Sequence, residues 1–173
     1  MDNNERSPGG GESNDTPIIT ENDFGMKWHK YLIYFSLWIA ALRLVVTGVQ
    51  YVVTGLVYGA NGEAGYIYQL FPGLKTIDIV MGLVTILLGV YIIYVRFQLA
   101  GYKIGAPKKL LLSYFLTFII LCAYLLAMNA IAGGEIEWGE VFDMETIIGL
   151  ISGVAIMFIN KVYYDKRAAL FVN

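Results

Sequence analysis

The chain has 173 residues, which is enough for one domain and too few for two of ordinary size. Its residues are 57% hydrophobic and only 15% charged, whereas soluble domains average about 45–50% apolar and about 25% charged residues. The few basic residues lie at the ends of apolar segments, which excludes a nucleic-acid-binding surface. The single cysteine, Cys122, excludes an internal disulfide and a cysteine-based metal centre, and no cofactor is indicated.

Residues 1–26 are predicted to form a disordered tail. They are rich in Asp, Glu, Asn, Ser, Gly and Pro and contain almost no apolar run. Such a segment cannot bury enough surface to offset the entropy lost on ordering. Because it is acidic and lacks an apolar core, it is not expected to be a signal peptide.

Four apolar segments follow, and each is long enough, or nearly so, for the about 20 residues that a membrane-crossing helix needs. They run over residues 31–57, 77–95, 110–131 and 146–164. The sequence therefore predicts an all-α fold, a four-transmembrane-helix bundle with up-down-up-down topology, in a domain covering residues 27–173. The predicted helices span about 28–57, 76–97, 108–131 and 144–165. Four buried helices of a soluble protein are disfavoured, because these segments have no polar face for water.

The first connection contains the aromatic stretch 64–71 (AGYIYQLF), followed by Pro72 and Gly73. Tyrosine rings prefer headgroup depth, so this stretch is expected either to lie flat at the membrane interface or to form an irregular loop on the bundle mouth. Pro72 and Gly73 are expected to end the connection before the second helix begins.

The basic residues predict the orientation. The third connection has five acidic residues and no Lys or Arg, and Lys75 lies at the same side of the membrane. By the positive-inside rule, both termini and the middle connection are expected in the cytoplasm, in a multi-pass protein of the plasma membrane. Ten of the twelve basic residues lie on that side: Arg6, Lys27, Lys30, Arg96, Lys103, Lys108, Lys109, Lys161, Lys166 and Arg167.

Small and polar residues recur at helical spacing inside three of the four segments. Because such residues allow close helix approach and interhelical hydrogen bonds, these faces are predicted to turn inward. The first segment carries Ser36, Ala40, Arg43, Thr47, Gln50 and Thr54 on one face. The second carries Asp78, Gly82, Thr85 and Gly89, and the fourth carries Glu145, Gly149, Ser152, Gly153 and Asn160.

Two interpretations of these residues stay open. In the first they are packing contacts, with helix contacts at Gly82, Gly89, Gly149 and Gly153. In the second they line a polar intramembrane cavity for an ion, a proton or a small anion, formed by Arg43, Thr47, Gln50, Asp78 and Asn129. An arginine at mid-depth costs about 2.5–3.5 kcal/mol on insertion scales, so Arg43 is expected to face protein or water. Asp78 is its natural countercharge, although the depths of their Cα atoms differ by roughly 10 Å.

Four stretches resemble a group of small bacterial four-pass membrane proteins. They are residues 27–35 (KWHKYLIYF), 71–78 (FPGLKTID), 94–102 (YVRFQLAGY) and 160–173 (NKVYYDKRAALFVN). The resemblance implies four-pass topology and supplies no activity or functional residue. Some members carry a zinc-ribbon segment, for which this chain lacks the cysteines. A looser similarity to DoxX-like proteins rests on Arg43, Gly48 and Gly55.

No catalytic residue is predicted, because no Ser/His/Asp set or phosphate-binding loop is present. His29, the single histidine, is interpreted as an interfacial residue, and Cys122 as an inert core residue. The leading hypothesis is a non-enzymatic protein that acts by helix packing, either as a homo-oligomer or with a membrane-protein partner in the lipid bilayer. The alternative is a small transporter or channel around Arg43.

Overall fold

A computed structural model of the chain describes residues 25–55, 64–134 and 144–173. Four helices are long and apolar enough to cross a membrane: α1 (Lys27–Val53), α3 (Pro72–Ala100), α4 (Ala106–Ile131) and α5 (Met144–Asp165). A short helix, α2 (Ala64–Leu70), precedes α3, and a 3₁₀ turn (Ala168–Leu170) follows α5. No strand occurs in these three ranges. The prediction of an all-α four-helix membrane bundle is confirmed.

The helices alternate in direction along the chain. Ala41 of α1 contacts Gly89 of α3, and Gly48, further along α1, contacts Gly82, which comes earlier in α3. The two helices are therefore antiparallel. Likewise Gly73 near the start of α3 lies against Ile131 at the end of α4. We call the end holding Lys27 and the C terminus the terminal end, and the other the opposite end. The predicted tail, residues 1–26, lies outside the described residues except for Gly25 and Met26.

One turn of α1, at Leu32–Ser36, is a π-helix. The Nε of Arg96 in α3 donates a hydrogen bond of 2.9 Å to the carbonyl oxygen of Ile33 in this turn. The Arg96 guanidinium also lies 5.2 Å from the ring centre of Trp38 and 4.7 Å from that of Phe97. Because a π turn alters the backbone hydrogen-bond pattern, an outside donor at this carbonyl helps to hold it.

Two helix ends differ from the sequence expectation. The first helix stops at Val53, because Gly55 adopts a left-handed conformation with φ of 72° and its N–H bonds back to the Gln50 carbonyl at 3.1 Å. The second spanning helix begins at Pro72, about four residues earlier than expected. Proline suits the first helical position, because its missing N–H would have no partner there. Residues 64–70 are helical rather than irregular.

Helices α1 and α3 pack closely through glycines. A Cβ placed on Gly82 would lie 2.6 Å from the carbonyl oxygen of Gly48 and 2.5 Å from a methyl carbon of Val52. One on Gly48 would lie 2.7 Å from the carbonyl oxygen of Gly82. Gly89 repeats the contact seven residues on, against the Ala41 carbonyl oxygen. A seven-residue spacing keeps one seam facing its neighbour over several turns.

Among the described residues of helix α5, the buried side chains lie near the terminal end. Asn160 and Tyr164, near the terminal end, are buried. From Ile147 to Ile159 the side chains are exposed, apart from half-buried Leu150 and Met157. A Cβ on Gly149 or Gly153 would meet no described atom within 4 Å. The expected inward packing of Gly149 and Gly153 is therefore not seen within the described residues.

Candidate functional site

The structure does not bring the five predicted site residues together. On α1, Arg43 and Gln50 are exposed and Thr47 is half-buried. Arg43 and Gln50 make no side-chain hydrogen bond or ion pair within the described residues. Their helix turns its other face, Ala41 and Gly48, toward α3. Arg43 and Gln50 thus lie on the outside of the bundle, contrary to the expectation that they face inward.

Asp78 lies inside the bundle near the opposite end and is 1% exposed. Its two carboxylate oxygens accept hydrogen bonds from two tyrosine hydroxyls. Tyr68 of α2 donates to Oδ2 at 2.6 Å, and Tyr124 of α4 donates to Oδ1 at 2.8 Å. Both oxygens of this buried carboxylate are therefore hydrogen-bonded, as burial of such a group requires. We call Asp78, Tyr68 and Tyr124 the tyrosine–carboxylate cluster.

The end of α1 completes the surroundings of this cluster. The Tyr51 ring packs edge-on against Tyr124 with 5.2 Å between ring centres. A Cβ on Gly55 would collide with the Tyr68 hydroxyl and lie 3.4 Å from Oδ2 of Asp78. Gly55 therefore has two structural roles. Its positive φ ends α1, and its lack of a side chain leaves room for the Tyr68 hydroxyl. The cluster joins α2, α3 and α4 at the opposite end, and the end of α1 packs against it, so the short helix α2 is fixed to the bundle.

Arg43 is not the countercharge of Asp78 within one chain. Asp78 lies beside Gly55, which is 12 residues beyond Arg43. At 1.5 Å per residue the two positions are about 18 Å apart along the helix axis, beyond direct contact. Asn129 does not hydrogen-bond to the cluster: its Oδ1 is buried and has no hydrogen-bond partner among the described residues. The predicted cavity residues are therefore not brought together around one space.

A second buried polar cluster lies at the terminal end, around His29. The His29 side chain is 0% exposed, and its Nδ1 lies 3.0 Å from the Tyr164 hydroxyl of α5. The rings of Tyr102 and Phe171 pack on it, with centres 5.1 and 5.9 Å away. Phe171 lies beside His29 because the segment after α5 folds back over the bundle. This segment is held by a hydrogen bond of 2.8 Å from the Ile104 N–H to the Asn173 carbonyl oxygen. His29 is thus a core residue rather than the interfacial residue expected from sequence.

The neighbouring tryptophan is also tied to α5. Trp28 Nε1 donates to Asn160 Oδ1 at 3.0 Å, and Asn160 Nδ2 donates to the Tyr114 hydroxyl at 3.2 Å. This chain of bonds links α1, α5 and α4. The signal that could have revealed both contacts is the pairing of aromatic and polar residues in stretches 27–35 and 160–173.

Within the described ranges, no group of three or more His, Cys, Asp or Glu side chains is placed to hold a metal ion. The polar features of these ranges are the hydrogen bonds of buried tyrosines to Asp78 and to His29, and the outward-facing Arg43 within a membrane-spanning helix. No protein-family model, curated protein or solved structure matches this chain. The resemblance to small bacterial four-pass proteins stays a prediction.

Proposed function

We propose that the protein is a non-enzymatic accessory subunit that associates laterally, through the outer face of α1, with a spanning helix of a different membrane protein. The observation that carries this proposal is Arg43, exposed among apolar neighbours such as Leu42 and Val46, which are 65% and 49% exposed. An arginine facing hydrocarbon near the middle of a span costs about 2.5–3.5 kcal/mol. A partner helix that supplies hydrogen-bond acceptors would remove that cost.

Charge complementarity favours a different protein over a second copy. Among the carboxylates whose side chains the structure describes, Asp78 is buried with both oxygens held, and Asp165 pairs with Lys161 at 2.7 Å near the terminal end. A second copy in the same membrane orientation would also bring its own Arg43 to the same depth. The proposed partner therefore carries Asp, Glu or an amide in mid-membrane, facing Arg43, with Thr47 and Gln50 as further polar contacts.

The test is site-specific photo-crosslinking in native membranes from Val46, beside Arg43 on the exposed face. Leu126 of α4, which is 66% exposed, is the matched control position. A single adduct from Val46, identified by mass and absent from Leu126, is expected. Arg43→Glu should abolish it, and reversing the partner's mid-span acid to Arg should restore it. An adduct with a second copy, the same adduct from both positions, or failure of the charge reversal would contradict the proposal.

We also propose that the protein resides in the plasma membrane with both termini in the cytoplasm. Nine described basic residues lie at the terminal end, whereas Lys75 lies at the opposite end. Lys and Arg are retained on the cytoplasmic side during insertion, and this bias sets orientation.

A transport function is the second proposal, and the tyrosine–carboxylate cluster supports it. Ionisable residues buried in a span commonly mark proton or ion paths. Liposomes containing the protein would then show proton or ion flux that Asp78→Asn abolishes. Liposomes that carry no flux above protein-free controls would remove this proposal and leave the association proposal untouched.

A further inference from the structure

The surface between α4 and α5 holds an apolar groove near the terminal end. Its volume is about 310 Å³, and it is open on one side toward the surroundings. The groove lies between the first half of α4 and the last third of α5, inside the segments that cross the membrane. It is lined by Leu111, Leu112, Phe115, Met157, Phe158 and Lys161.

Five of the six lining residues are apolar, and three of them are strongly exposed: Leu112 at 46%, Phe115 at 54% and Phe158 at 56%. At this depth the medium is lipid, so the surface is not an aggregation hazard as it would be in water. A concave apolar surface between two helices instead gives a lipid acyl chain more carbon contacts than a convex helix surface does. The walls therefore suit one flexible hydrocarbon chain.

The rim of the groove at the terminal end is basic. Lys161 lines the groove itself, and Lys108 lies three and four residues before Leu111 and Leu112, on the same face of α4. Lys108 is exposed and has no hydrogen bond or ion pair in the part of the chain that the structure describes. Lys161 pairs with Asp165, but the two side chains remain 55% and 61% exposed. Because an ammonium has three donors, Lys161 keeps donors for a second acceptor.

We infer that this groove binds one anionic phospholipid, with an acyl chain between α4 and α5 and the headgroup phosphate between Lys108 and Lys161. Apolar walls below a pair of cations match the two halves of such a lipid. Basic pockets between spanning helices bind anionic headgroups in this way. The inference is independent of the partner proposed for Arg43, which lies on α1.

The experiment is a titration of the full chain, in detergent, with phosphatidylglycerol or phosphatidylcholine of identical acyl chains, followed by native mass spectrometry. Phosphatidylglycerol is expected to bind more tightly. A lysine near the membrane surface contributes about 1 kcal/mol to anionic-lipid attraction, so Lys108→Gln and Lys161→Gln should each weaken its binding about fivefold. Asp165→Asn should strengthen it, because Lys161 is then released from its intrahelical pair. Phosphatidylcholine binding should change little in all three variants.

Lys103→Gln is the matched control, since Lys103 is exposed at the same end but does not line the groove. Met157→Trp, which fills the groove, should weaken binding of both lipids. Unfolding curves in lipid-free detergent establish that each variant folds, and Asp165→Asn supplies a gain that misfolding cannot produce. Equal binding of the two lipids, equal effects of Lys103→Gln and Lys161→Gln, or competition by glycerol 3-phosphate as strong as by the lipid would overturn the inference.

Discussion

The hydroxyl of Tyr124 lies 2.8 Å from a carboxylate oxygen of Asp78, so one hydrogen bond inside the membrane span ties α4 to α3. Tyr68 holds the other oxygen at 2.6 Å and brings in α2. A buried carboxylate with two tyrosine donors is a specific arrangement, since lipid cannot replace either hydrogen bond. The opposite end of the bundle is therefore fixed by polar contacts as well as by packing.

Removing one of these donors should measurably destabilise the fold. Tyr124→Phe leaves an oxygen of Asp78 buried without its bond, which costs about 1–3 kcal/mol. The free energy of unfolding in detergent, from a denaturant titration followed by circular dichroism, is the measurement. Tyr34→Phe is the control, because Tyr34 is 68% exposed and makes no side-chain hydrogen bond within the described residues. Equal stability of the two variants would show that the Tyr124 bond contributes nothing.

Glycine-to-alanine substitutions should change stability differently at glycines that pack against another helix and at glycines that do not. At Gly82 the added Cβ meets the Gly48 carbonyl oxygen at 2.6 Å, and overpacking of this kind costs about 1–3 kcal/mol. At Gly153 it meets no described atom, and alanine there is favoured by up to about 1 kcal/mol of helix propensity. We expect Gly82→Ala to lower the thermal midpoint and Gly153→Ala to leave it unchanged or raise it. The reverse order would contradict the α1–α3 contact.

Arg96 should not tolerate lysine, although the charge is kept. Lysine cannot place a planar donor on the Ile33 carbonyl while stacking between Trp38 and Phe97. Loss of the stacking alone is expected to cost about 0.5–1 kcal/mol, with the lost hydrogen bond added to it. Lys103→Arg, which also keeps the positive charge, serves as the control at an exposed position. If chemical denaturation finds no difference between the two variants, the π turn does not depend on Arg96.

The C-terminal segment should protect His29 from solvent. Phe171 is 7% exposed and packs on His29, and truncating a buried Phe to Ala typically costs about 3–5 kcal/mol. We expect Phe171→Ala to raise the rate of His29 modification by diethyl pyrocarbonate by at least about tenfold, because the segment then opens locally. Val172→Ala, at a side chain that is 68% exposed, should leave the rate unchanged. Mass spectrometry of the His29 peptide gives the rate directly.

The proposed orientation can be tested by measuring the labelling of two single-cysteine variants. In a Cys122→Ser background, Lys103→Cys lies at the terminal end and Lys75→Cys near the opposite end, and both side chains are exposed. In sealed right-side-out vesicles, a membrane-impermeant maleimide should label Lys75→Cys and leave Lys103→Cys unlabelled until the vesicles are opened. The opposite labelling pattern would place the termini outside.

The sequence by itself determined the four spans, because about 20 successive apolar residues have no stable place except a bilayer. It also determined which residues share a helix face, since the helical period assigns Arg43, Thr47 and Gln50 to one stripe and Gly82 and Gly89 to another. A glycine or proline with a defined backbone role, such as Gly55 or Pro72, shifted the helix ends by a few residues.

Only the tertiary structure decided what each face touches. In water, burial of apolar surface would select the inward face, but lipid is as apolar as a neighbouring helix and makes no such selection. Gly82 therefore packs on α1, whereas a Cβ on Gly153 would meet no described atom within 4 Å, although both glycines belong to spaced-glycine patterns. In the same way Asp78 met two tyrosines instead of Arg43, because shape and hydrogen-bond geometry across helices, which no one-dimensional pattern contains, set its partners.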